Sequence, residues 1–311
     1  MTTPSEPGRG GPDPGLDAIM SERRHLINLA YRLLGSLAEA EDAVQETYAR
    51  WYAMSTRQQE AIESPAAWLT TVASRICLDV LGSARARRER YVGEWIPEPL
   101  PERGEWISTQ PGGPVADPAD RVTLDESVSM AFLVVLETMT PAERVAFILH
   151  DVFGYSFAEV AKIVGRSAAA CRQLASSARR RIRASQAPAI PTAEQADIVR
   201  NFKRAWEAKD IGALIGLLDP DATVIADGGG RVAAHLLPVE GGEQIARLVV
   251  EFANLAPDMT ILERTVNGQP GLVAQLAGIT VTVFAFDVAG DRIKHIWAVR
   301  NPDKLRPWLT A

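Results

Sequence analysis

Apolar side chains recur every three to four residues along much of the first 185 positions, which is the spacing of amphipathic helices. The two clearest stripes are Ala40, Val44, Tyr48 and Trp51, and Leu69, Val72, Ile76 and Val80. Ser36 and Glu39 form a capping box that begins the first of these helices. Ser64-Pro65 begins the second, because serine caps a helix and proline suits its first position.

A second pair of capped helices is predicted further along the chain. Thr140-Pro141 and Ser156 each stand three residues before a glutamate, the spacing of a capping box. The helix after Ser156 is expected to end at Gly165, and Ser167 caps the next one. Two short helices joined by Gly165-Arg166 predict a helix-turn-helix.

From about Pro188 the pattern changes to helices followed by the alternation of period two that is typical of strands. Helices are predicted over Glu194–Ala208, Ile211–Leu218 and Gly241–Asn254. Strands are predicted over Thr223–Ala226, Met259–Val266, Leu272–Leu276, Ile279–Val288 and Arg292–Val299. These elements predict an α+β domain built on a curved antiparallel sheet.

Breaks in the pattern predict five segments. They are a disordered tail (1–15), a helical domain (16–91), a linker (92–120), a helical domain with the helix-turn-helix (121–187) and the α+β domain (188–311). The tail lacks the apolar stretch of a secretory signal. Prolines exclude regular structure from the linker, although Trp95 and Trp106 suggest that part of it packs.

Charge is unevenly distributed along the 311 residues. The net charge is −6, yet two basic islands stand out: Arg85, Arg87, Arg88 and Arg90, and Arg172, Arg179, Arg180, Arg181 and Arg183. This distribution predicts contact with a polyanion at two places. Cys77 and Cys171 have no metal-ligand spacing, so free thiols in a reducing cytoplasm and no bound metal or cofactor are expected. No apolar run reaches the length of a membrane helix.

Three polar positions share one face of the first capped helix. Asp42, Gln45 and Glu46 stand at i, i+3 and i+4, away from the apolar stripe. A carboxylate, an amide and a second carboxylate on one face predict a docking surface for a basic partner. A solvated polar face without a partner is the alternative.

Two helices carry candidate DNA-binding residues. In the helix after Ser167, the apolar positions Ala170, Leu174, Ala178 and Ile182 are predicted to face the core. Another face is predicted to bind DNA through Ser167, Arg172, Gln173, Ser176, Arg179 and Arg183, with the early residues at base edges and the later arginines on phosphate. A solvated basic helix is the alternative. A second surface comprises Trp68, Thr71, Arg75, Arg85, Arg87 and Arg88. It resembles the segment by which bacterial sigma factors bind the −10 promoter element, although Trp68 could equally belong to the core.

The stretch Glu41-Asp42-Ala-Val-Gln45-Glu46-Thr-Tyr48 resembles the helix by which bacterial sigma factors bind the β′ clamp helices of RNA polymerase. The order of domains resembles the extracytoplasmic-function (ECF) sigma factors. This resemblance implies that residues 16–91 bind polymerase and the −10 promoter element. It also implies that residues 121–187 bind the −35 element beside the β flap, and that the protein acts in the cytoplasm.

Three further motifs resemble the subgroup of these factors that carries a SnoaL-like C-terminal domain. They are Trp95-Ile-Pro-Glu-Pro99, Asp227-Gly-Gly-Gly-Arg231 and Asn301-Pro-Asp-Lys-Leu305, with mild departures at Ile96, Arg231 and Leu305. The resemblance implies a cone-shaped fold like that of nuclear transport factors, which tunes sigma activity in cis. An anti-sigma factor is then not required.

A physical hypothesis follows for this regulation. The second and third motifs are expected to hold the linker, with Trp95 as the apolar anchor and the prolines as a stiff ligand. The expected contact residues are Trp95, Pro97, Glu98, Pro99, Asp227, Gly228, Gly229, Gly230, Asn301, Pro302, Asp303 and Lys304. The alternative is that the glycine run is only a hairpin turn.

Other function classes remain open at this point. SnoaL-type cavities can hold an acid and a base, for which Asp227, His235, Asp258 and His295 are the candidates, although they form no local motif. A cavity that binds a metabolite is a further possibility. A two-domain regulator without polymerase is the third, against which the Asp42 face argues.

Overall fold

The structure is a computed structural model that describes residues 14–88, 91–101, 128–185 and 192–309. Most of the predicted tail, Trp106, Arg90 and the linker beyond residue 101 lie outside the described residues. The first helix begins at Pro14, inside the predicted tail. Side chains are described from residue 22 in that helix, and up to residue 83 in the helix that contains Arg85, Arg87 and Arg88.

The N-terminal helical region contains α1 (Pro14–Leu34), α2 (Leu37–Tyr52), α3 (Thr56–Glu60) and α4 (Pro65–Arg88). The second helical region contains α5 (Met130–Glu137), α6 (Pro141–Phe147), a π-helical turn (Ile148–Val152), α7 (Phe157–Val164) and α8 (Ala168–Ser185). The predicted capping boxes at Thr140 and Ser156 are confirmed, and α7 ends at Gly165 in the left-handed conformation with φ 70°. Helices α7 and α8 form the predicted helix-turn-helix.

The two helical regions share one hydrophobic core. Buried side chains of α1, α2 and α4 belong to the same cluster as those of α6, α7 and α8. The buried Arg144 of α6 reaches across and donates to the carbonyl of Leu33 in α1 at 2.9 Å, while it also pairs with Glu137 at 2.7 Å. The helix-turn-helix is therefore packed against the N-terminal region.

The C-terminal domain consists of α9 (Thr192–Glu207), α10 (Ile211–Leu217), α11 (Gly242–Leu255) and a six-stranded sheet. The strands are β1 (Leu218–Asp227), β2 (Val239–Glu240), β3 (Met259–Val266), β4 (Gln269–Leu276), β5 (Ile279–Ala289) and β6 (Arg292–Val299), in the order β2-β1-β6-β5-β4-β3. Strands β3 and β6 match their predicted bounds. The prediction of a wholly antiparallel sheet is wrong, because β1 runs parallel to β6. The connection between these strands contains α11 and four other strands, which is long enough for parallel pairing.

Both faces of this sheet are buried, and successive residues of a strand lie in different hydrophobic clusters. Phe284 and Phe286 pack on one face against Phe202 and Trp206 of α9. Val283 and its neighbours on the other face form a cluster with the linker, α5 and the C-terminal segment, namely Ile96, Met130, Val266, Val273, Val283, Ala285, Trp297, Val299, Leu305 and Trp308. The sheet therefore binds the helical regions directly.

Three local predictions need correction. In α8 the buried residues are Cys171, Ala175, Ala178 and Ile182, whereas Ala170 and Leu174 are only half-buried. The small side chains Cys171 and Ala175 allow closer packing, which rotates the buried face. In α4, likewise, Val72 and Val80 are half-buried beside Ala73 and Cys77. At Ser36 only half of the capping box forms: its side chain accepts from the Glu39 amide.

Candidate functional sites: two helix surfaces and a linker clamp

Helix α2 exposes the polar face that its sequence predicts. Ala43, Val44 and Thr47 are buried against the core, while Asp42, Gln45 and Glu46 are all exposed. Glu46 pairs with Arg50 one turn later at 2.8 Å. Because this pair is exposed, it contributes little and can exchange for a partner. The face is available for docking, and its role remains a prediction.

A linker carboxylate caps the N-terminus of the same helix. Glu98 is buried, and its Oε2 accepts from the Leu37 amide at 2.8 Å and from the Ser36 hydroxyl at 3.2 Å. Its own amide donates to the Gly35 carbonyl at 2.8 Å. Unpaired amides and the helix dipole favour an anion at this end. Burial raises the pKa of the Glu98 carboxyl, although the bonds from Leu37 and Ser36 oppose that shift.

The centre of the linker contact is the buried carboxylate of Asp227, at the end of β1. One oxygen accepts from the Tyr91 hydroxyl at 2.7 Å and the Gly229 amide at 3.0 Å. The other accepts from the Ile96 amide at 3.1 Å and from Lys304 Nζ at 2.7 Å. We call Asp227, Asn301 and Lys304 the linker clamp. Through these bonds the clamp binds the backbone of the linker at Ile96 and the side chain of Tyr91.

The remaining clamp residues complete this contact. Lys304 Nζ also donates to the Ile96 carbonyl and lies 4.1 Å from the centre of the Trp95 ring, a cation–π arrangement. Asn301 Nδ2 donates to the Tyr91 hydroxyl at 2.8 Å. Asp303 forms exposed ion pairs with Arg231 and Arg306 at the rim, and Pro302 is exposed.

The glycine run after Asp227 allows Asn301 and the linker to approach the backbone closely, and it is not a two-residue hairpin turn. A Cβ on Gly229, whose φ is 62°, would lie 2.3 Å from Asn301 Nδ2. A Cβ on Gly230 would lie 3.1 Å from the Val92 side chain of the linker. Any side chain here would push the clamp or the linker away.

The apolar anchors of the linker are Ile96 and Leu100, whereas the prediction named Trp95. Both aliphatic residues are fully buried, while Trp95 is half-buried beneath the Lys304 cation. Pro97 and Pro99 are buried with them, and the Pro99 carbonyl accepts from Trp308 Nε1 at 2.8 Å. Ile96 packs in the cluster between the sheet and α5, whereas the Trp95 ring lies against Lys304 and close to Gly35, where an added Cβ would be 3.0 Å from it.

Asn267 joins three parts of the chain and was not predicted. It lies in the β3–β4 turn with φ 51°. Its amide donates to the Leu100 carbonyl, and its Oδ1 accepts from the Leu100 amide, each at 2.9 Å. Its Nδ2 also donates to the Tyr31 hydroxyl in α1 at 2.8 Å, and that hydroxyl donates to the Glu98 carbonyl at 2.7 Å. The only sequence signal was Asn-Gly, which indicates a turn and says nothing of burial.

The predicted DNA surface of α4 contacts the helix-turn-helix through α7. On α4, Trp68 is half-buried against Trp51, with ring centres 5.2 Å apart, and the Thr71 hydroxyl bonds the Ala67 carbonyl. The exposed Arg75 donates from Nη2 to the Lys162 carbonyl in α7 at 2.7 Å. A residue predicted to bind promoter DNA thus contacts the helix-turn-helix.

On α8, most predicted DNA contacts are exposed. Ser167 caps the helix by accepting from the Ala170 amide at 3.2 Å. Exposed residues follow at Arg172, Gln173, Ser176 and Arg183. Arg179 differs, because its Nε bonds the buried carboxylate of Asp151 at 2.5 Å. That ion pair fixes α8 on the core, so Arg179 has a structural partner here.

The candidate acid and base residues are not brought together. Asp227 belongs to the clamp, Asp258 is exposed, and His295 bonds Thr223 at 2.7 Å. Only His235 lines the cavity of the C-terminal domain, at its exposed mouth. Within the described residues, no cluster of His, Cys, Asp or Glu could hold a metal ion, and no helix is long and apolar enough to cross a membrane.

Comparison with known proteins decides the family. Residues 18–88 match the model of sigma-70 region 2, and residues 129–182 match that of sigma-70 region 4. The ECF RNA polymerase sigma factor SigJ of Mycobacterium tuberculosis is 37% identical over 91% of this chain and 90% of its own length. The chain belongs to the ECF sigma factors. It is also similar to the probable ECF sigma factor SigI of the same species, with 33% identity over 95% of this chain and 96% of that protein.

The fold comparison extends to the whole sigma factor. The crystal structure of M. tuberculosis SigJ matches with a TM-score of 0.71 and 32% identity, over 94% of this chain and 98% of that one. The predicted fold class is confirmed: two helical sigma domains are followed by a SnoaL-like α+β domain. Sigma factors of this family direct promoter-specific transcription initiation with RNA polymerase.

Proposed function

We propose that this sigma factor exists in a closed state, which its C-terminal domain stabilises through the linker clamp. In the open state, the Asp42, Gln45 and Glu46 face binds the β′ clamp helices of core polymerase in the cytoplasm. Helix α4 then binds the −10 element, and α8 binds the −35 element near the β flap. An anti-sigma factor is not needed to keep such a protein closed.

The observation that carries this proposal is the contact between α4, which bears the predicted −10 surface, and α7 of the helix-turn-helix. The −10 and −35 elements are about 25 base pairs apart, or roughly 85 Å along B-form DNA. Arg75 of α4 lies 2.7 Å from the Lys162 carbonyl of α7. One protein cannot bind both elements while these helices touch, so initiation requires the regions to separate.

The linker clamp supports the proposal because it acts on the chain between the two sigma regions. It holds Tyr91 and Ile96, while Glu98 caps α2 and Met130 of α5 packs on the sheet. Separation of α4 from α7 therefore requires the linker or α5 to leave the C-terminal domain. Release of the clamp is the step at which activity can be regulated.

Run-off transcription from the gene's own upstream region, with purified core polymerase, tests the polymerase contact. Asp42→Lys reverses a charge on the docking face and should abolish the transcript without changing thermal stability. Asp291→Lys makes the same change on an exposed residue of the β5–β6 turn and should leave the transcript unchanged. Equal transcripts from both variants would contradict the assignment of this face.

We also infer that the C-terminal domain is not an enzyme. Among the described residues, the titratable groups that line its cavity are His235, Glu251 and Arg300, and the first two are exposed at the mouth. The deep wall offers neither a carboxylate nor an imidazole for acid–base chemistry.

A further inference from the structure

The C-terminal domain contains a cavity that the closed-state proposal does not use. Its volume is about 520 Å³, within the range of small-molecule sites. The wall lies between the sheet, α9 and α11 and is mostly aromatic and aliphatic, with Phe202, Trp206, Phe252, Phe284 and Ile296 among its residues. A wall of this kind favours a ligand with an apolar body.

Three wall residues carry a polar atom without a hydrogen-bond partner. These atoms are Trp206 Nε1, Thr282 Oγ1 and Arg300 Nε. An unpaired donor in apolar surroundings costs about 1–3 kcal/mol, so buried polar groups nearly always have partners. Three such atoms in the wall of one cavity are groups that a ligand with hydrogen-bond acceptors can satisfy when their side chains turn towards it.

Arg300 identifies the charge of that ligand. Its guanidinium is half-buried beside the Phe252 ring, 5.3 Å from the ring centre, and burial lowers its pKa. Its Nη1 donates to the Ala233 carbonyl, but among the described residues no carboxylate pairs with it. Glu251 also lines the cavity, at its exposed mouth. A partly desolvated guanidinium without a counter-ion favours a bidentate anion.

The mouth of the cavity suits an amphipathic molecule. Leu255 lies on its rim and is 76% exposed. Leu236 and Leu237, next to the rim residue His235, are 59% and 76% exposed. We propose that the cavity binds an amphipathic carboxylate, with its apolar body against α9 and the sheet and its carboxylate on Arg300.

The site is connected to the linker clamp by Arg300 and one loop. The Arg300 amide donates to the Asp227 carbonyl at 2.7 Å, and the next residue is the clamp residue Asn301. The loop that follows Asp227 contacts the linker at Val92 and Gly93, and then lines the mouth with Ala233 and His235. A ligand that draws Arg300 towards the cavity therefore acts on the clamp; this part of the inference rests on the proposed function.

Isothermal titration calorimetry with the full-length protein tests the site. The probes are 1-naphthylacetate and dodecanoate, one aromatic and one aliphatic acid, each compared with its methyl ester. We expect at least one acid to bind about tenfold more tightly than its ester. Failure of both acids to bind below about 1 mM, or equal affinity for acid and ester, would overturn the proposal.

Two variants locate the binding. Arg300→Gln should weaken the acid about tenfold and leave the ester unaffected. Val249→Trp places an indole in the cavity from α11 and should abolish binding of both. Arg306→Gln removes an exposed arginine from the same C-terminal segment and should bind like the parent. Binding that survives both Arg300→Gln and Val249→Trp would place the acid elsewhere.

Hydrogen exchange of residues 91–101, with and without the bound acid, tests the connection to the clamp. A changed exchange rate supports coupling, and an unchanged rate would refute the coupling while the site stands. Calorimetry needs no polymerase, so equal transcripts from Asp42→Lys and Asp291→Lys would contradict the proposed function without affecting the binding result.

Discussion

Asp227→Asn is the most direct test of the linker clamp. The substitution keeps the size of the side chain and an oxygen that can accept from Tyr91 or Ile96. It removes the negative charge that faces Lys304 Nζ at 2.7 Å, where both side chains are buried. Lys304 would lose this ion pair while it keeps its bond to the Ile96 carbonyl and its contact with the Trp95 ring.

The expected cost is large because the pair is buried. Removal of one partner of a buried ion pair destabilises by about 3–5 kcal/mol. The linker is bound at the edge of the C-terminal domain, so this cost should appear as release of the linker. A cost of about 3 kcal/mol corresponds to a roughly hundredfold increase in the released population.

Hydrogen exchange can measure this release residue by residue. The amides of Ile96, Glu98 and Leu100 donate to Asp227, Gly35 and Asn267, so they are protected only while the linker is bound. In Asp227→Asn they should exchange about a hundredfold faster. Run-off transcription should increase if release of the clamp limits activity.

The control and the refuting result are both available in the same segment. Asp303→Asn breaks the exposed pairs with Arg231 and Arg306 and should cost no more than about 1 kcal/mol. If the three amides exchanged as slowly in Asp227→Asn as in Asp303→Asn, the clamp would not hold the linker. Lys304→Met should partly rescue Asp227→Asn, because a neutral pair leaves no buried charge.

Two further predictions concern other buried groups. Burial raises the pKa of Glu98 in the folded protein. Its contribution to the free energy of unfolding is therefore complete below the unfolded pKa of about 4.3 and is lost as the pH rises through the folded pKa. In urea unfolding measured against pH, Glu98→Gln should flatten this decline, and an unchanged slope would contradict the assignment. Burial raises the pKa of Cys77 to about 12 and also raises that of Cys171, so a thiol reagent should label both only as the protein unfolds, and labelling of the folded protein would refute this expectation.

Local signals in the sequence predicted most of the helices and strands because each depends on neighbouring residues. Capping at Thr140 and Ser156, and the left-handed Gly165, follow from a few adjacent positions. The parallel pairing of β1 with β6 was missed because these strands are separated along the chain by α11 and four other strands, and no local pattern reports their pairing. The buried faces of α4 and α8 are rotated about the helix axis relative to the prediction, because small residues pack closely there.

The clamp was predicted in part. The motifs identified Asp227, Asn301 and Lys304 as contacts of the linker, and the structure brings them together with it. Asn267 and Tyr31 were missed because they meet across 236 positions of the chain, and no local pattern reports such a contact. Arg75 and Arg179 were expected to face DNA alone. Arg75 instead contacts α7 of the other sigma region, and Arg179 pairs with Asp151 of its own region.

The burial of both sheet faces has a consequence for the exchange of parts between sigma factors. Ile96 and Leu100 belong by sequence to the connection between the sigma regions. Ile96 nevertheless packs in the cluster on the sheet, and the backbone of Leu100 is bonded by Asn267 of the C-terminal domain. A chimaera joined near residue 188 would combine the linker of one sigma factor with the C-terminal domain of another, whose surface does not match that linker. Residues 91–101 and the C-terminal domain therefore form one structural unit, and a functional chimaera should take both from the same parent protein.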